Sequence, residues 1–174
     1  MSKSSGGVRN VSAGSVAYSN RLKEVTAMRL SGNYSSVEMA RHGTGYVAIE
    51  KSHKRHSTEE IEAAQYLASK GYKVTLKDEA GYVKTEDGKL FQASFEQRTP
   101  VKGGAKAFKR ALGHAKSKPG TQVAVIYDKN KVFRRRDIET GIKEYEAWNK
   151  YRFQKIIVVS ASGRIHIHKH NDLD

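Results

Sequence analysis

The segment STEEIEAAQYLASKGYKVTLK, Ser57 to Lys77, changes its period partway along and so decides the fold. Ser57 stands three residues before Glu60, the spacing at which a serine and a glutamate close the open amides of a helix's first turn. Ile61, Ala64, Leu67 and Ala68 then recur at helical spacing, and Gly71 supplies a left-handed residue to end the helix. After it Tyr72, Val74 and Leu76 alternate with Lys73, Thr75 and Lys77, the pattern of a strand with one buried face. A helix passing at once into a half-buried strand predicts an α/β domain.

Toward the C-terminus the same two periods alternate. GYVKTE and KLFQASF flank Asp87-Gly88, a pair suited to a two-residue type I′ turn, so they read as a hairpin. AKAFKRALGHAKSK places Phe108, Ala111, Leu112 and Ala115 on one helical face, and Pro119-Gly120 stops it. TQVAVIY and KIIVVS are continuous apolar runs, as expected of strands covered on both faces. Between them DIETGIKEYEAWNKY repeats Ile138, Ile142, Tyr145 and Trp148 or Asn149 at helical spacing, completing a βαβ unit. SASG turns the chain into a last strand, RIHIHKH. The predicted order from Ser57 is α-β-β-β-α-β-α-β-β, a mixed sheet flanked by helices.

Toward the N-terminus the signals weaken. Residues 1–20 are rich in Ser and Gly and read as a flexible arm. Residues 21–56 read as an extension, with a short helix over SNRLKEVTAMRL capped by Ser19 or Asn20, with Leu22, Val25 and Met28 or Arg29 at helical spacing. A hairpin of SVEMA and GYVAIEK follows it. The division expected is therefore an arm over 1–20, an extension over 21–56 and an α/β domain over 57–174.

Charge points to the partner. Among 174 residues, 32 Lys and Arg face 18 Asp and Glu, a net charge of +14 that favours polyanions through counterion release. The absence of cysteine removes disulfides, thiolate zinc sites and cysteine nucleophiles together. No window approaches about 18 apolar residues and no apolar run opens the chain, so the expected setting is the cytoplasm or a particle or toxin assembly, with no membrane partner. Lys106, Lys109, Arg110 and Lys116 on the third of these helices, with the run Arg134, Arg135, Arg136, are the expected phosphate-binding cations. Phe108 and Tyr127 read as core, and Phe133 as a ring able to stack on a base. His166, His168 and His170 share one strand face, chiefly a polar face and only secondarily a metal pair.

The order of elements, with EAAQYLASKGYKV, the DGKLF turn, the basic helix and RFQKIIVVSASGRIHI, resembles the core of the PD-(D/E)XK nuclease superfamily. More narrowly it looks like the C-terminal tRNA-nuclease domains of contact-dependent growth-inhibition toxins and related domains of phage head proteins. The resemblance covers about Ser57 to His168. It implies Mg²⁺ or Mn²⁺ held by oxygen ligands, with a lysine positioning water, because a metal must both activate water and neutralise the phosphodiester's developing charge. It places Glu62 as the helix acid and Asp87 as the hairpin acid, the two metal ligands. Gln92 then stands where a second acid belongs and Ser94 where the lysine belongs, a departure that costs the site a charge of each sign. Glu96, on the same strand face as Gln92, can replace the missing ligand, and Lys89, Lys102 or Lys106 can reach the site. Three readings stay open. One is metal-dependent hydrolysis of RNA or DNA. Another is an inactive module on the same scaffold, such as a phage structural or accessory protein. The third is a metal-independent RNase relying on His and Arg. The implied partners are RNA or DNA, with an immunity protein or phage particle proteins.

Overall fold

The computed structural model describes residues 16–51, 55–77, 81–84, 92–118 and 120–169, with the backbone alone for 81–84 and Gln92. Asp87 and its turn, Lys89, His170 and the first fifteen residues of the expected arm lie outside them. The chain divides into two compact units, residues 1–92 and 93–174. Among the described residues no helix is long and apolar enough to cross a membrane.

The first unit opens with α1 (Val16–Leu30), then β1 (Tyr34–Met39) and β2 (Tyr46–Glu50). Helix α1 starts a turn earlier than composition suggests. Ser19 and Asn20 lie inside it, since each costs under about 0.7 kcal/mol in a helix and the cap preference does not stop propagation. Val25 is fully buried among Val37, Tyr46 and Ala48, whereas Leu22 stays exposed. Strands β1 and β2 pair antiparallel, as the hairpin reading expects.

Helix α2 (Thr58–Ser69) and strands β3 (Lys73–Leu76) and β4 (Gly81–Lys84) follow. The Ser57 hydroxyl accepts the Glu60 amide at 3.1 Å, and Gly71 has φ 93°, so both ends of α2 close as the sequence specifies. The burial pattern of β3 alternates, with Val74 and Leu76 inside. Strand β2 pairs parallel with β3, and β3 antiparallel with β4, so the hairpin of the extension and the strand after α2 share one sheet. Gly45 enters β2 beneath the end of α2, where a Cβ would lie 1.9 Å from the Ala68 carbonyl oxygen.

The second unit holds β5 (Gln92–Arg98) from its second residue on, α3 (Ala105–Lys116), β6 (Val123–Asp128), α4 (Arg135–Trp148), β7 (Lys155–Ser160) and β8 (Ile165–Lys169). Strands β5, β6 and β7 run parallel, and β8 returns antiparallel to β7 through a turn with Gly163 at φ 87°. This is the expected alternation of helix and strand. Every residue of β6 is buried, which explains its unbroken apolar run. One sheet face, carrying Ala124, Ile126, Ile156 and Val158, packs against Phe108, Leu112, Ile142 and Tyr145 of the two helices. The helices approach closely at Gly141, where a Cβ would meet the Ala105 carbonyl and the Phe108 side chain at 2.9 Å. Burial pushes the Tyr145 phenol up to about 12, so it stays protonated in this core.

Candidate nucleic-acid interface

Helix α3 sorts its residues sharply by chemistry. Phe108, Ala111, Leu112 and Ala115 are buried, and what remains for solvent is Lys106, Lys109, Arg110, His114 and Lys116. The helix contains no acid, so its cations have no intrahelical partner of the usual i,i+4 kind. Lys106, Arg110 and Lys116 are exposed. Lys109 is half-buried, with its ammonium 5.6 Å from the centre of the Trp148 ring. Lys116 donates to the Asn149 amide oxygen at 2.9 Å, tying the end of α3 to the end of α4.

The second cationic group sits at the start of α4. Asp128, buried at the end of β6, accepts the backbone amides of Val132 and Phe133 at 2.8 and 3.2 Å and so braces the loop that carries the arginines. The Asp137 carboxylate accepts the Arg134 amide at 2.9 Å, setting the first turn. Arg134, Arg135 and Arg136 are all exposed, although Arg135 pairs with Glu139 at 3.0 Å. Gly103 touches the same loop, since a Cβ there would lie 2.0 Å from the Val132 carbonyl oxygen. That close backbone approach brings exposed Lys102, and Lys106 one turn on, to the end of the unit where the arginines begin. Phe133 does not join them. Its ring meets Phe108 edge-on at 5.2 Å, because a half-buried aromatic gains more against another ring than in water.

The residues expected to hold a metal lie on separate elements. Glu62 lies on α2 in the first unit and Glu96 on β5 in the second, Asp87 lies outside the described residues, and Gln92 is placed by its backbone alone. Within β5, Ala93 and Phe95 are buried, and Ser94, Glu96 and Arg98 share the opposite face. Glu96 is ion-paired to Lys118 at 3.2 Å and lies 3.9 Å from Arg98, and the Ser94 hydroxyl donates to the Gly120 carbonyl at 2.5 Å. A cation at Glu96 would share its carboxylate with this lysine. No cluster of three or more His, Asp or Glu capable of holding an ion occurs among the described residues. His168 faces Glu146 at 3.3 Å, and Arg152 engages the same carboxylate at 3.4 Å.

The first unit holds a groove of about 810 Å³ whose lining includes Met39, Val47, Ile49 and Ile61, with Glu38, Arg41, His42 and Gln65 also at its walls. Its charged groups are of both signs, unlike α3, so it does not compete as a polyanion site. Sequence reasoning overlooked Trp148 as a surface residue, because its helical spacing placed it in the apolar stripe. It also overlooked Asp128, whose only signal was a lone acid ending an apolar strand.

No family model and no curated protein matches the sequence. A solved structure described as a CdiA-CT/CdiI toxin and immunity complex from Burkholderia pseudomallei is similar over 70% of this chain and 98% of that chain. The identity is 18% and the TM-score 0.48.

Proposed function

We propose that the second unit is a nucleic-acid-binding module whose binding surface is the exposed side of α3 together with the first turn of α4. The observation that carries this reading is the composition of that side of α3, where every ionisable group is basic and no acid is interleaved. A merely solvated helix face gains by alternating charge signs, and this one forgoes that gain. Cations gathered in this way bind a phosphate backbone by releasing its counterions, whatever the base sequence.

The test is the triple variant Lys106→Gln, Lys109→Gln, Arg110→Gln. Lys106 and Arg110 project into solvent and Lys109 only partly leaves it, so stability should change by no more than about 0.5 kcal/mol per site. Affinity for nucleic acid should fall, and the slope of log affinity against log salt should shrink by about 1 for each phosphate that the variant no longer neutralises. Unchanged affinity in a folded triple variant would sink the proposal.

Hydrolysis of the bound strand is not part of this reading, because Gln92 and Ser94 stand where the resemblance calls for an acid and a lysine. RNA and DNA incubated with Mg²⁺ or Mn²⁺ are expected to stay intact. Cleavage that requires metal, stops with EDTA and disappears in both Glu62→Gln and Asp87→Asn would instead make the chain a nuclease.

A further inference from the structure

Trp148 is 80% exposed, an unusual position for the largest apolar ring in a protein. The cause is local. Helix α4 ends at Trp148, and Asn149 takes an extended conformation at φ −118°, ψ 132°, with its side-chain amide donating to the Tyr145 carbonyl at 2.9 Å. The chain therefore leaves the helix just where the next position of the apolar stripe would have turned inward. Tyr145 keeps that buried place, stacked on Phe153 at 5.5 Å, and Trp148 is left on the surface.

What surrounds the ring decides what it fits. The Lys109 ammonium lies 5.6 Å from the ring centre, within cation–π range, and this restrains the indole at the margin of the basic helix. Lys116 is anchored beside it through Asn149, and Lys150 is exposed next along the chain. An exposed aromatic face among cations matches a ligand that alternates flat rings with anionic groups. A protein partner would need acidic residues at each of these cations, whereas a nucleotide strand supplies a phosphate with every base.

We propose that Trp148 is a stacking platform and that the ligand of this surface is a single strand of RNA or DNA with an unstacked base. The inference rests on the nucleic-acid reading above and adds the strandedness of the ligand. In a duplex the bases are already stacked on one another, so the ring has nothing to receive. In a single strand every base has a free π-face, which makes the stacking tolerant of sequence.

Trp148 is the chain's one tryptophan, so intrinsic tryptophan fluorescence reports this residue alone. The experiment adds oligo(dT), oligo(rU), an abasic oligomer of equal length and a DNA duplex to the full chain and to Trp148→Ala and Trp148→Phe. Quenching by dT or rU but not by the abasic strand is expected, with either sugar supporting the proposal. Trp148→Ala should bind the base-bearing strands roughly 5- to 150-fold more weakly, with duplex and abasic affinity unchanged and most of the loss restored in Trp148→Phe. Emission that ignores base-bearing strands while the protein still binds duplex overturns the proposal and leaves the ring to a protein partner. So does an equal loss for single strand and duplex in Trp148→Ala. Either failure leaves the nucleic-acid reading standing. That reading falls if the Lys106, Lys109, Arg110 triple variant keeps its full affinity for every strand.

Discussion

Binding of duplex nucleic acid is expected to weaken by roughly 10³-fold as monovalent salt rises from about 50 to 200 mM, if six phosphates are neutralised. The number six follows from the surface. Lys102, Lys106, Arg110, Lys116, Arg134 and Arg136 are exposed, whereas Arg135 shares its charge with Glu139 and Lys109 lies over Trp148. Each phosphate neutralised contributes a slope of about −0.9 for duplex and −0.7 for a single strand. The fourfold rise in salt should thus cost a single strand less, about 300-fold. Fluorescence anisotropy of labelled strands across a salt series measures both slopes. Affinity indifferent to salt would remove the polyanion as ligand, since no base-reading device substitutes for charge on this surface.

Replacing Gly45 with Ala is expected to cost at least about 3 kcal/mol and to deprive the first unit of a stable fold at ordinary temperature. The added Cβ would stand 1.9 Å from the Ala68 carbonyl oxygen and 2.8 Å from that of Tyr72. Both are backbone atoms fixed by the end of α2. The Gly71 amide donates to Ala68 at 2.9 Å, and the Tyr46 amide to Tyr72 at 3.3 Å. No rotamer change relieves such a clash, so β2 or α2 must move and the parallel pairing of β2 with β3 goes with it. Gly113→Ala is the matched control, because a Cβ there meets nothing within 4 Å and the helix gains about 0.5–1 kcal/mol when the glycine is replaced. Denaturant midpoints of the two variants should move in opposite directions. A Gly45→Ala midpoint close to the parent's would show that the approach of α2 and β2 is looser than these distances.

The sequence by itself determined the succession of elements from Ser57 onward, the closure of α2 by Ser57 and Gly71, the double burial of β6 and the division of α3 into apolar and cationic sides. Each of these depends on residues within a turn or two of one another, where periodicity and capping chemistry act directly. Tertiary structure alone decided the rest. It joined β2 to β3 across α2, gave Glu96 to Lys118 and Arg98 instead of leaving it free, turned Phe133 inward onto Phe108 and left Trp148 outside. Pairing partners and burial are set by groups brought close from distant parts of the chain, and a helical repeat cannot say at which residue the helix stops. For Trp148 that stopping point, one residue before Asn149 turns extended, separates a core position from a surface one.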